Sequence, residues 1–168
     1  TDNVALGYRA LSANITGISN IAIGRCTLAS NVDGTHNVAL GQCALQRNTI
    51  GCFNTSIGQQ TLTSNTSGSN NTAIGYQALK QNITGNNNVA VGCQTLFCNT
   101  YGSNNTAIGL CALYYNISGS HNTAIGFNAL LNNTTGSWNT AIGNQTLYCN
   151  ISGINNVAIG CRSLYYNT

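Results

Sequence analysis

The stretch Asn71-Thr72-Ala73-Ile74-Gly75-Tyr76-Gln77-Ala78-Leu79 recurs with small changes along the whole chain. Its first residue returns every 17 residues without a slip, at Asn3, Asn20, Asn37, Asn54, Asn71, Asn88, Asn105, Asn122, Asn139 and Asn156. Self-similarity at one short, fixed period is typical of proteins in which equivalent units stack on one another. We therefore number each repeat from this asparagine, as columns 1 to 17.

The constant columns predict the local structure of one repeat. Column 5 is Gly, column 9 is Leu and column 12 is Asn in every copy, and column 15 is Gly wherever the repeat reaches it. Columns 2 and 4 carry β-branched or apolar residues, which is a strand pattern. The Asn-x-x-Gly of columns 12 to 15 predicts a turn. Columns 6 to 11 fit either a second strand or a single helical turn.

We therefore predict an all-β fold: a parallel β-solenoid, or β-roll, of about ten 17-residue coils, with residues 1–168 as one repeat segment. Coils paired as parallel strands lie about 4.7–4.9 Å apart. The asparagines of column 12 then form an amide ladder, and column 4 joins column 9 in an apolar spine. The column 9 ladder is Leu11, Leu28, Leu45, Leu62, Leu79, Leu96, Leu113, Leu130, Leu147 and Leu164.

One wall of the roll carries only small side chains, at columns 1, 3, 5 and 8. Such a wall is either the inside of a thin roll or a contact between rolls of different chains. We favour the contact between chains, because columns 2 and 4 hold the larger apolar groups and are expected to face their own core.

Composition argues against several classes of protein. Only 4% of residues are charged, against roughly a quarter in ordinary domains. The regular apolar columns argue against disorder, and no apolar run approaches the roughly 20 residues of a membrane helix. The five basic residues are dispersed, which argues against nucleic-acid binding. No secretion signal is visible. The chain starts and stops in mid-repeat without a cap, so we expect a segment of a longer fibre or ends covered by other chains.

The repeat resembles known surface proteins. Asn156-Val157-Ala158-Ile159-Gly160 resembles the head repeat of YadA-type trimeric autotransporter adhesins. The longer form from Asn71 to Gly85 is similar to repeats in tail-fibre and surface proteins of phages and large viruses. The resemblance implies a left-handed parallel β-roll that assembles as a homotrimer, is displayed outside the cell or virion, and serves attachment.

Catalytic and metal-binding residues are scarce. Asp2 and Asp33 are the only acids and lie about two coils apart, so no acid–base pair is expected. His36 and His121 share column 17 but are five coils apart, and we interpret them as loop residues rather than metal ligands. We expect no enzyme activity, no cofactor and no metal site.

Among the eight cysteines, Cys26 and Cys43 occupy column 7 in successive coils. Stacked coils bring their Cα atoms within disulfide range, so they are the candidate bridge. The alternative is that cysteine serves as a small, half-buried apolar residue.

Glycosylation sequons recur in column 12. The candidates are Asn14, Asn65, Asn82, Asn116, Asn133 and Asn150. The alternative is that an obligatory turn asparagine meets a Thr/Ser-rich column 14 by chance, and we favour it because column 12 keeps its asparagine where no sequon is complete.

The later coils carry aromatic residues in columns 10 and 11, which form a candidate surface-binding stripe. Its members are Phe97, Tyr114, Tyr115, Tyr148, Tyr165 and Tyr166. Such a stripe either binds glycan rings or another chain, or stabilises the stack by itself; we favour the structural role.

The sequence thus predicts an extracellular fibre or adhesin segment that attaches to a host-surface glycan or protein. A structural filament with coils stacked end to end is the alternative, since open β-edges template addition. A minor alternative is ice binding by the column 2 threonines, Thr55, Thr72, Thr106, Thr123 and Thr140, although Val or Ile interrupts that column in the other five coils.

Overall fold

The computed structural model describes residues 1–167, which stack as successive coils along one sheet. Each coil contributes one three-residue strand, made of columns 2 to 4. The ten strands, β1 to β10, are Val4–Leu6, Ile21–Ile23, Val38–Leu40, Thr55–Ile57, Thr72–Ile74, Val89–Val91, Thr106–Ile108, Thr123–Ile125, Thr140–Ile142 and Val157–Ile159. Residues 1–167 contain no helix.

The strands follow one another in chain order, and every neighbouring pair is parallel. The register is strict, so that each residue lies beside its counterpart in the next coil; Ala73, for example, pairs with Ala90. The predicted all-β parallel solenoid is confirmed, with about nine turns. The left-handed twist of the roll stays a prediction.

Hydrogen bonds between coils continue beyond the strands. The backbone N–H groups of Leu79, Gln81 and Ile83 each donate to a carbonyl of the following coil, at 3.0, 3.1 and 3.0 Å. Columns 6 to 11 are therefore neither a second strand nor a helical turn. They form a series of turns whose polar backbone groups are bonded between coils, as buried backbone requires.

Three columns hold non-glycine residues in the left-handed region of φ. In coil 71–87 these are Gln77 at +58°, Leu79 at +52° and Asn87 at +56°, and the other coils match. The left-handed conformation costs roughly 1–2 kcal/mol per residue, and β-branched residues tolerate it worst. Columns 7, 9 and 17 accordingly contain no Val, Ile or Thr in any copy.

The interior of each coil is thin. The hydroxyl oxygens of Ser56 in column 3 and Thr61 in column 8 lie 2.5 Å apart across it. Beside this contact the column 9 leucines form a continuous spine, and the eight from Leu28 to Leu147 have no exposed surface. Full burial of a leucine contributes about 1.5–3 kcal/mol, which offsets its unfavourable φ.

The inward placement of column 4 is wrong. Ile74 is 37% exposed, whereas Ala73 before it is fully buried. Successive strand residues face opposite sides, and an interior narrow enough for Ser56 to reach Thr61 holds alanine but not isoleucine. The small-residue wall of columns 1, 3 and 8 is consequently the inside of the roll, and the favoured contact between chains through that wall is also wrong.

Candidate functional site

The most distinctive surface is the sheet face made by columns 2 and 4, which we name the outer sheet face. Ten strands in register place two side chains per coil on it. Of these 20 residues, 15 are Val, Ile or Leu, and the other five are threonines. Exposure in the middle of the stack is substantial, at 39% for Ile108. The face is therefore long, flat, apolar and without charge.

The aromatic stripe is divided into two stacks. Phe97 and Tyr114 lie parallel, with ring centroids 5.0 Å apart, and Tyr148 and Tyr165 lie parallel at 4.9 Å. Leu131 occupies the same column between them and separates the stacks. The ammonium of Lys80 lies 5.6 Å from the Phe97 centroid. Stacking within column 10 covers ring faces, which fits the structural role of these residues.

The column 11 tyrosines are placed differently. Tyr115 lies edge-on to Tyr114, at 4.7 Å and 73°, and Tyr166 lies in the same way on Tyr165. Tyr115 is 48% exposed and Tyr166 is 82% exposed. Burial raises the pKa of the Tyr114 hydroxyl, and the neighbouring Cys98 contributes to the shift. The stripe thus offers two outward tyrosines, each held by a partner in column 10.

A groove runs along the side of the roll between columns 11 and 13, which we name the side groove. The buried asparagines of column 12 lie between its two walls in sequence. In the later coils it has a volume of about 460 Å³ and is lined by Cys98, Tyr115, Ile117, Asn132, Thr134 and Ile151. In the earlier coils it has about 330 Å³ and is lined by Arg47, Ser64, Thr66, Gln81, Ile83 and Thr100. The groove is aromatic and uncharged in one half and polar in the other.

The candidate bridge between Cys26 and Cys43 is absent, and both side chains are free thiols that lie close together. Burial raises the pKa of the Cys43 thiol, and negative charge on Cys26 would raise it further, while Arg25 opposes the shift. The pair is thus in place, but the structure holds it reduced.

A second pair of thiols was missed, because the sequence reasoning compared only identical columns. Cys93 is in column 6 and Cys111 is in column 7 of the next coil. The N–H of Cys111 donates to the carbonyl of Cys93 at 3.1 Å. Burial, then Cys93, raises the pKa of the Cys111 thiol. The signal that would have found it is the column 7 to column 6 backbone bond.

The column 12 sequons are wrong as glycosylation sites in the folded chain. Asn82 is fully buried, and its amide donates to Asn65 at 2.8 Å and to the Gly85 carbonyl at 3.0 Å. Attaching a glycan would remove one of these two protons and require space inside the coil. The buried set is Asn65, Asn82, Asn116, Asn133 and Asn150. Asn14 is half-buried but makes the same bond to its turn glycine, at 3.0 Å.

The two histidines stack on aromatic rings of the next coil. His121 lies parallel to Trp138 at 3.9 Å, and His36 lies on Phe53 at 4.9 Å. Because all four residues are in column 17, the repeat register would have revealed both pairs. Each histidine is therefore a surface residue supported by a ring.

Among residues 1–167 there is no cluster of three or more His, Cys, Asp or Glu side chains that could hold a metal ion. The same part of the chain contains no helix with the length and hydrophobicity to cross a membrane. Comparison of the chain with protein families, with curated proteins and with solved structures finds no match to any of them.

Proposed function

We propose that this chain is a non-enzymatic segment of an extracellular fibre that assembles as a homotrimer through its outer sheet face and serves attachment. The observation that carries the proposal is the combination of an unbroken ladder between coils with one long apolar face. The ladder suits a stiff spacer, and the face suits permanent burial against copies of the same chain.

The apolar face supports assembly because soluble monomers rarely expose contiguous apolar patches beyond about 300–600 Å². Here the apolar residues follow every strand from β1 to β10 instead of forming an isolated spot. A second copy has the same length and the same spacing between coils, so side chains from two faces interdigitate along the whole rod. Three flat faces around one axis leave none exposed.

The stiffness of the rod supports a spacer role. Each coil is bonded to its neighbours on the strands and in the turns, and stability in such arrays comes from neighbour contacts. The chain also contains no proline, so every residue can donate to the ladder. A fibre of this kind would hold an attachment site at a fixed distance from the surface that carries it.

The test is the molar mass in solution, measured by light scattering during size exclusion. We expect three times the 17.5 kDa of one chain. Ile74→Lys together with Ile108→Lys should give a single-chain mass, because buried lysine charges are costly. Tyr76→Lys is the matched control, since Tyr76 is 46% exposed but lies in column 6, away from the face. A single-chain wild type would overturn the trimer, and long polymers of uniform width would favour the end-to-end filament.

Ice binding is the second candidate, and the outward direction of column 2 favours it. Thr72, Thr106 and Thr123 lie on the outer sheet face, together with isoleucines two residues further along each strand. Methyl and hydroxyl groups are thereby repeated at about 4.7–4.9 Å between coils and about 6.6 Å along the strand. This spacing forms a flat, regular lattice that ordered water can match.

The two candidates use the same face and exclude each other. A chain that binds ice must leave the outer sheet face open, whereas a trimer covers it. Thermal hysteresis measured on the wild type and on Thr106→Lys separates them. Hysteresis that is lost in the variant, from a chain of single mass, would support ice binding; a trimer without hysteresis would remove it.

A further inference from the structure

We propose that the later half of the side groove is a binding site for a neutral oligosaccharide, with one sugar ring stacked on Tyr115. This inference rests on the proposed attachment function and names the class of ligand. The groove has a volume of about 460 Å³, which lies within the roughly 300–1,000 Å³ of sites that hold small ligands.

Tyr115 is the stacking group. Its ring is fixed edge-on against Tyr114, and Tyr114 is fixed in turn by parallel stacking on Phe97. Nearly half of the Tyr115 surface, 48%, remains exposed. A rigid ring, with its orientation set by neighbours, offers an apolar surface at little cost in conformational entropy. The C–H face of a sugar ring suits such a surface.

Two polar groups lie opposite the apolar wall. The side-chain amide of Asn132 has no hydrogen-bond partner among residues 1–167, so it offers both a donor and an acceptor. The Thr134 hydroxyl donates to the Ile151 carbonyl at 3.2 Å and keeps its lone pairs free. A few polar groups in a mainly apolar site are what orient a ligand, and sugar hydroxyls both donate and accept.

The charge distribution points to a neutral ligand. Between Lys80 and Arg162 the sequence contains no Asp, Glu, Lys or Arg. A sulfated or acidic chain would find no cation in this half of the groove, and burying an unpaired charge is costly. The groove is also open along the rod and follows its axis, so it suits an extended chain rather than a compact ligand.

The test uses the full chain and three neutral probes: linear hexasaccharides of glucose, of mannose and of N-acetylglucosamine. Saturation-transfer NMR and calorimetric titration report binding. We expect at least one probe to bind, and Tyr115→Ala to weaken it about tenfold. Asn132→Ala should also weaken binding without removing the ring. Tyr76→Ala is the matched control, because Tyr76 has nearly the same exposure, 46%, in another column.

Three results would overturn the site: no binding of any neutral probe, equal binding by wild type and Tyr115→Ala, or binding of sulfated oligosaccharides alone. Circular dichroism of each variant establishes that the coils are intact. Light scattering is measured on the same samples. A trimer that binds no neutral sugar removes the groove proposal and leaves assembly standing, whereas sugar binding by a single chain removes the trimer and leaves the groove.

Discussion

The side-chain amide of Asn82 donates to the Oδ1 atom of Asn65 in the preceding coil, at 2.8 Å. Asn99 donates to Asn82 in the same way, so the bonds form a chain along the interior. Each amide also bonds the carbonyl of its turn glycine. The asparagine ladder therefore closes the turn of one coil and joins neighbouring coils at once.

Asn82→Asp should destabilise the chain by about 3 kcal/mol or more, because a buried carboxylate loses both donors and faces two oxygen atoms. The thermal midpoint by circular dichroism measures this. Asn70→Asp is the control, since Asn70 is exposed in column 17 and asparagine and aspartate both tolerate positive φ. Equal midpoints for the two variants would contradict the ladder's role.

Gly75→Ala should disrupt stacking, because a Cβ atom there would lie 2.5 Å from the Gly92 carbonyl oxygen. Gly160→Ala separates the two causes of strain. Gly160 has a similar φ, +118° against +125°, but a Cβ atom on it meets nothing within 4 Å. We expect a modest loss from Gly160→Ala and a much larger loss from Gly75→Ala, measured as thermal midpoints. Equal losses would mean that φ alone requires the glycine.

Leu96→Asn sets burial against backbone preference. The φ of Leu96 is +52°, where asparagine is more comfortable than leucine, but the side chain is fully buried. Losing a buried leucine costs about 2–5 kcal/mol, and the buried amide adds to this. We expect clear destabilisation by urea titration. Ser19→Asn, at φ +56°, should be neutral, since column 17 already holds Asn in other coils. Wild-type stability of Leu96→Asn would contradict the leucine spine.

Stability should fall at alkaline pH. Burial raises the pKa values of the Cys43, Cys98 and Cys111 thiols above their model value of 9.0. A group with a raised pKa in the folded state favours folding while it is protonated, and this contribution is lost as pH rises through the folded pKa. Thermal midpoints should therefore decrease above about pH 9.

Replacing Cys43, Cys98 and Cys111 together by serine should flatten this alkaline decrease, because the titrating thiols are gone. Alkylation followed by mass spectrometry gives an independent measure. The three buried thiols should be labelled slowly at pH 7 compared with the exposed Cys93. A midpoint that decreases equally in the triple variant would assign the pH dependence to other groups, such as Tyr114.

The repeat register made the fold predictable from sequence alone. Strict 17-residue spacing of Asn71 and its counterparts placed equivalent residues beside each other, and the structure pairs them in register. The absence of β-branched residues at columns 7, 9 and 17 also marked the positions of positive φ, although that signal was not used. Periodicity fixes which residues are neighbours along the rod.

The direction of each side chain was harder to predict, because it depends on the width of the interior. The usual preference for burying Ile over Ala failed for Ile74 and Ala73, since the two walls approach too closely for a large side chain. The side groove depends on the path of the turn between Tyr115 and Ile117, which no column pattern specifies. The stripe and the groove share Tyr115, but only the coordinates bring Thr134 and Asn132 to it.

The constant register between coils also has a genetic consequence. Deleting or duplicating 17 residues, from Asn71 to Asn87 for instance, would rejoin Asn70 or its counterpart to an equivalent residue and shift the rod length by about 4.8 Å. The cross-section and the surface columns would be unchanged. A gain or loss of any other number of residues would move every later side chain out of its row. The encoding gene can thus adjust reach in whole steps by recombination between repeats, while single-codon slips are eliminated.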